Sequence, residues 1–208
     1  MITVHHLNES RSQRILWLLE ELGVTYEIKW YWRDSQTRLA PPELKDIHPL
    51  GKSPVITDEG RVIAESGAIV DYIIRRHGGG ELQPPVTKPD YDDYVQWMHY
   101  AEGSAMLPLL LKISVARLGE AAQQIMPRIE AEIANHLGYI DTALRDRDYL
   151  LGTQLTGADV QLSFVGELAA ARLDCSAYPN MIAWVKRFQG RPAYQVALER
   201  GGPYAFAL

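Results

Sequence analysis

A single cysteine, Cys175, among 208 residues excludes an internal disulfide, which fits a reducing cytoplasm. The six histidines show no zinc-ligand spacing. His5 and His6 are neighbours on a strand-like segment and point to opposite faces, so no metal site is predicted. No apolar run approaches the length needed to span a bilayer, and low-complexity tracts are absent. Positive charge is also short: 21 Lys and Arg face 26 Asp and Glu, a net of −5. Binding to nucleic acid would require a basic face to neutralise phosphates, so that class is disfavoured. Met1 leads directly into ITVHHL, without a basic start, apolar stretch and small-residue cleavage site. The sequence therefore predicts no secretory leader and no membrane partner.

What is present reads as a globular protein, with 47% hydrophobic and 23% charged residues, ordinary for a chain with a packed core. The acidic excess is uneven. Residues 1–78 carry 10 basic and 11 acidic residues, whereas the remainder carries 11 and 15. An anionic ligand is thus easier to accommodate in the first part.

Periodicity divides the chain in two. ITVHHL (2–7) reads as a strand. From Ser12, the spacing of Ile15, Leu16, Leu18, Leu19 and Leu22 gives a helical face, ended by Gly23. TYEIKWYW (25–32) alternates as a second strand, and residues 41–48 predict a short irregular helix. PVITD and RVIA form a hairpin around Asp58-Glu59-Gly60. A helix follows from Ser66, burying Ala68, Ile69, Tyr72 and Ile73 and stopping at Gly78-Gly79-Gly80. The order β-α-β-α-β-β-α makes residues 1–78 an α/β domain. A Gly/Pro-dense linker, 79–89, follows. Residues 90–208 are helical in pattern, with long helices predicted over 90–118, kinked at Pro108, and over 121–146. LTGADV (155–160) is a helix start, with Thr156 as N-cap, Asp159 at N3, and Leu155 and Val160 placed as a hydrophobic staple.

Two motifs in the first domain can carry chemistry. In GKSPVI, Pro54 opens a strand where it cannot donate to a ladder. A cis Ser53–Pro54 bond would leave the Ser53 backbone turned outward, able to pair with an extended peptide; an ordinary trans proline at a strand start is the alternative. In AESGAI, Glu65-Ser66 lies where a strand gives way to a helix. The helix N-terminus suits a carboxylate and the Glu65 side chain an ammonium, together the two charges of an amino-acid head group. Alternatively, Ser66 caps its helix and Glu65 complements the dipole.

SRSQRILWLLEELG, APPELKDIHPLGKSP and IAESG, in this order, with HYAEGS (99–104) and TGAD (156–159) in the second part, resemble the cytosolic glutathione transferases. They are especially similar to a microbial branch of that superfamily, and the resemblance covers nearly the whole chain. It implies a thioredoxin-like N-terminal domain with cis Pro54 and an all-α helical-bundle C-terminal domain. It also implies γ-glutamyl recognition by Glu65 and Ser66, backbone pairing of the cysteinyl residue at Ser53, Lys52 near the glycyl carboxylate, and a twofold homodimer. Glutathione would be the co-substrate, conjugated to a small hydrophobic electrophile.

Family members activate the thiol with Tyr, Ser or Cys just after the first strand. Here that loop, Asn8 to Arg14, contains neither Tyr nor Cys. Ser10, four residues before Arg14, matches the serine-type S-x-x-x-R pattern; Ser12, Asn8 and Arg11 are the alternatives, with Ser12 placed as the N-cap of the first helix. The task is defined in any case. A thiol with a pKa near 8.5 is only about 3% ionised at pH 7, and lowering the pKa to about 6.5 raises this to roughly 75%. His99, Met106 and Leu107 are candidates for the electrophile pocket, although helix-stripe core positions are an equal reading of them. Two other functions remain: a glutathione-dependent peroxidase or disulfide oxidoreductase, and a non-catalytic glutathione-binding module.

Overall fold

A computed structural model describes residues 1–208. The N-terminal part runs β1 (Ile2–Leu7), α1 (Ser12–Glu21), β2 (Tyr26–Tyr31), α2 (Leu44–Ile47), β3 (Val55–Asp58), β4 (Arg61–Ala64) and α3 (Ser66–Arg76). The strand order is β2-β1-β3-β4. β1 lies parallel to β2 and antiparallel to β3, and β3 and β4 form an antiparallel hairpin. The hairpin turn is Glu59-Gly60, both at positive φ (47° and 78°), the mirror-image turn that matches strand twist and favours glycine. Ile2, Val4 and Ile56 are buried in one cluster with the apolar faces of α1 and α3.

The C-terminal part is helical: α4 (Asp90–Tyr100), α5 (Met106–Val115), α6 (Met126–Ala143), α7 (Gly157–Arg172), α8 (Pro179–Gln189) and α9 (Pro192–Gly201). The long helix expected over 90–118 is interrupted at a different place from that predicted. A π-helical turn occupies Ala101–Ala105 and regular helix resumes through Pro108. Proline lacks an N–H and its ring crowds the carbonyl four residues earlier, here that of Ser104, so the backbone widens in the preceding turn. A 3₁₀ segment, Ala116–Ala122, containing Gly119 at φ 59°, joins α5 to α6. The latter therefore begins later than residue 121. No helix is long and apolar enough to cross a membrane.

The two parts share one core. Trp17 of α1 is fully buried, stacking on Phe188 of α8 at 5.1 Å and meeting Tyr194 of α9 edge-on at 5.6 Å. Arg191 grips Glu21 of α1 with two donors, Nε at 2.5 Å and Nη2 at 2.9 Å. At the start of α7, a Cβ on Gly157 would lie 2.6 Å from Ile74 and 2.7 Å from the Tyr94 hydroxyl. Only glycine permits this approach of α7 to α3 and α4. This shared packing holds the two parts in a fixed relation, which positions any site between them.

Asp159 is the polar anchor of α7. Its carboxylate accepts the Thr156 backbone N–H and hydroxyl, the Leu150 N–H and the Trp184 indole N–H, all at 2.9–3.0 Å. Four donors converge on two oxygens. Asp159→Asn would turn an amide NH₂ toward one pair of these donors, so it is expected to destabilise the fold by about 2–4 kcal/mol. Equilibrium denaturation checks this; a loss below about 1 kcal/mol would contradict the assigned network.

Candidate functional site

Five of the predicted binding residues come together. Lys52, Ser53, Pro54, Glu65 and Ser66 line one depression of about 210 Å³, with His48, Leu50, Ala64, Arg11 and Glu102. The Ser53–Pro54 peptide is cis. Ser53 donates its hydroxyl to the His5 carbonyl at 2.9 Å, tying the loop to β1. Its backbone N–H and C=O have no partner within the chain, leaving an open edge for an extended peptide.

Glu65 has φ 67° and ψ 116°, a conformation that an L-residue rarely adopts and that recurs at functional sites. Neither Glu65 nor Ser66 plays the capping role that the local sequence allowed: no side chain caps α3, and Ser66 is its first residue. Ser66 is buried. Its hydroxyl oxygen accepts from Arg14 Nη2 at 2.9 Å and from the Gln161 amide at 3.4 Å. The hydroxyl proton is thereby left for an acceptor in the depression.

Arg14, whose side chain is only 1% exposed, organises this region. It donates to Ser66, to the Gln161 carbonyl and to Glu102 at 2.5 Å. Arg11 also reaches Glu102, its Nε lying 2.8 and 2.9 Å from the two carboxylate oxygens. Burial alone would raise the Glu102 carboxyl pKa, but the Arg14 and Arg11 guanidiniums outweigh it and hold it below the usual range. Burial pulls the Arg14 pKa down and Glu102 opposes it. Glu102 lies in the π-helical turn. Neither its role nor that of His48 was singled out in the sequence, although both fall within the quoted stretches HYAEGS and DIHPLGKSP.

A second cleft, of about 620 Å³, opens between the two parts of the chain and is floored by Leu109, Ile113, Phe164, Leu168 and Phe206. Phe206 comes from the C-terminal tail. That tail is fastened by Tyr204, whose hydroxyl donates to buried Glu167 at 2.6 Å, and by Gln189, whose amide donates to the Phe206 carbonyl at 3.3 Å. Arg11 lines both the depression and the cleft, and its guanidinium carbon sits 5.2 Å from the Phe164 ring centre. The residues expected at an electrophile pocket, His99, Met106 and Leu107, do not line this cleft. Met106 is buried in the core because its side of α5 faces inward. Leu107, the next residue, is 55% exposed. His99 lines a third hollow, between α3 and α4, which shares Glu65, Ser66 and Glu102 with the depression.

The loop after β1 also differs from expectation. Ser12 does not cap α1. It is the first helical residue and is fully buried, and its hydroxyl lies 3.2 Å from both the Leu7 N–H and the Leu7 carbonyl. A hydrogen-bonded chain links the two serines to the interior. Gly201's carbonyl can only accept, so His6 Nε2, at 3.1 Å, carries the proton. Burial lowers the His6 pKa to about 4, so the ring is neutral at pH 7 and Nδ1 can accept from the Ser12 hydroxyl at 2.9 Å. Ser10 and Ser12 share a hydroxyl–hydroxyl hydrogen bond of 2.8 Å in which either can donate, and the Ser10 oxygen accepts the Ser12 N–H at 3.2 Å. Ser10 is 4% exposed and lines neither cavity. Asn8 is occupied as well: its side-chain oxygen takes the Arg33 N–H at 2.8 Å. Of the four candidates, Arg11 alone faces both cavities.

Comparison with known proteins agrees with this architecture. A family model for the glutathione S-transferase N-terminal domain matches residues 10–76, and one for the C-terminal domain matches residues 123–187. The chain is 35% identical to glutathione S-transferase 3 of Schizosaccharomyces pombe, over 96% of this chain and 88% of that protein. It is 30% identical to glutathione S-transferase 1 of Saccharomyces cerevisiae, covering 96% and 95%. A crystal structure of a glutathione S-transferase from Actinobacillus pleuropneumoniae has a TM-score of 0.88 at 33% identity, covering 99% of this chain and 94% of that one. A family member from Pseudomonas fluorescens with two glutathione bound shares the fold at 23% identity and a TM-score of 0.82, covering 95% and 92%. With both domain models matched along the chain and near-complete coverage by these relatives, the chain belongs to the glutathione S-transferase family.

Proposed function

We propose that this chain is a glutathione transferase that attaches the glutathione sulfur to small apolar electrophiles, with Arg11 stabilising the thiolate. One observation carries the reading. Two separated segments bring Lys52, the open Ser53 backbone, Glu65 and Ser66 into a single depression that meets an apolar cleft at Arg11. On this reading Lys52 pairs with the glycyl carboxylate and Ser53 hydrogen-bonds the cysteinyl residue as an added strand. Glu65 takes the γ-glutamyl ammonium, and the free Ser66 proton goes to the neighbouring carboxylate.

The sulfur then lies toward Arg11. The Arg11 Nε is committed to Glu102, which fixes the guanidinium plane while its two terminal nitrogens donate to nothing within the chain. A fixed positive charge beside a thiol favours the ionised form, and the electrophile is held over it in the cleft. With an aryl halide the steps balance simply. The thiol proton leaves to solvent, the sulfur forms a C–S bond, and halide departs with the electron pair of the broken carbon–halogen bond. The reading further gives a twofold dimer, the commonest closed arrangement for soluble oligomers, acting in the reducing cytoplasm. Sedimentation at micromolar concentration would contradict the dimer if it showed only the 23.5 kDa species.

The chain should bind immobilised glutathione and turn over chlorodinitrobenzene. Activity confined to a hydroperoxide or a mixed disulfide would instead make it an oxidoreductase, and binding without any turnover would make it a binding module. Glu65→Ala should weaken glutathione affinity tenfold or more, about 1.4 kcal/mol. Calorimetry giving an unchanged affinity for the folded variant would remove Glu65 from the binding site.

A further inference from the structure

The interdomain cleft is unusual for a chain with net charge −5. Six cationic side chains line it, Arg11, Arg33, Arg38, Lys112, Arg117 and Arg172, against one acidic residue, Glu9. Three of the six are paired: Arg11 with Glu102, Arg38 with Glu9 and Lys112 with Glu130. Arg33, Arg117 and Arg172 have no carboxylate partner. The cleft therefore carries a surplus of positive charge at these three arginines, each without a paired carboxylate.

Arg33 is held in place without being neutralised. Its Nε, Nη1 and Nη2 donate to the carbonyls of Asn8, Arg38 and Glu9 at 3.1, 3.0 and 3.4 Å. Burial, then the neighbouring Arg38 charge, pull its pKa downward, the direction expected where cations crowd one another. Arg172 lies over the Phe206 ring at 5.7 Å, so charge and apolar surface adjoin at the same wall of the cleft.

We infer that the electrophile accepted by this cleft is an amphipathic anion: an apolar or aromatic body bearing a carboxylate or a similar negative group. The body covers Phe164, Leu168 and Phe206, and the anion faces Arg33, Arg117 and Arg172, with the reacting carbon turned toward Arg11. This rests on the transferase reading above and narrows its substrate class. A neutral apolar compound would satisfy the floor but leave the surplus charge unanswered. Three unit charges at about 8 Å in a near-aqueous dielectric correspond to roughly a tenfold preference for the anion.

The test pairs a para-chloro-dinitrobenzoate with its neutral carboxamide, each rate divided by that of the uncatalysed reaction with glutathione at the same pH. The normalised kcat/KM of the intact chain should favour the carboxylate about tenfold, mainly through KM, and the preference should shrink as salt rises from about 20 mM to about 500 mM. Arg117→Gln combined with Arg172→Gln should bring the carboxylate-to-amide ratio down toward unity. Equal normalised rates for the two compounds, or a ratio unchanged in the double variant, would overturn the proposal and leave the transferase reading standing. Turnover of chlorodinitrobenzene but of neither compound would overturn the proposal alone, and turnover of none of the three would remove both.

Discussion

Arg14 is a charge with nowhere to go. It lies in the first turns of α1, its side chain almost fully enclosed where the helical part packs over the N-terminal part. A guanidinium removed from water requires a counter-charge and a full set of acceptors. Glu102 supplies the charge, and Ser66 and the Gln161 carbonyl accept from the terminal nitrogens, while Nε is left without a partner. Deleting one member of such a buried pair characteristically costs about 3–5 kcal/mol, because the other is left uncompensated. The same contacts define the site. Arg14 positions the Ser66 hydroxyl, and Glu102, held by Arg14, in turn fixes the plane of Arg11. The wide turn at Ala101–Ala105 belongs to this arrangement, since it carries Glu102 within reach of both arginines.

Much of the N-terminal half was legible in the sequence because its signals are local. The alternation of ITVHHL, the apolar stripe after Ser12 and the Glu59-Gly60 turn each specify an element from a few adjacent residues. The grouping of the candidate binding residues was legible for a related reason. Lys52, Ser53 and Pro54 are consecutive, Glu65 and Ser66 adjoin, and one hairpin separates the two groups. The resemblance carried by IHPLGKSP and IAESG then supplied a cis Pro54 that composition alone would not suggest.

The contacts that failed to show in the sequence span long separations. Arg14 and Glu102 lie 88 residues apart, and nothing near either announces the other. The serine assignment met a further obstacle. Ser10 stands where a serine-type residue belongs, but it is buried against Ser12, which is tied through His6 to Gly201, far along the chain at the end of α9. Met106 and Leu107 have the right chemistry for an apolar pocket. The π-helical turn before them, however, changes the register at which α5 presents its faces, and Leu109 and Ile113 reach the cleft instead. Phe206 contributes from a tail with no helical period to reveal it.

The account makes charge, rather than a hydroxyl, the means of activating the sulfur. Arg11 borders both the depression and the apolar cleft, whereas Ser10 is buried and lines neither. The thiol pKa of bound glutathione, read from the thiolate ultraviolet band as pH is varied, tests this most directly. Arg11→Gln should raise that pKa by about one to two units, matching loss of one charge-assisted contact, and Ser10→Ala should leave it within a few tenths of the parent value. A pKa that rises in Ser10→Ala and stays put in Arg11→Gln would contradict the account.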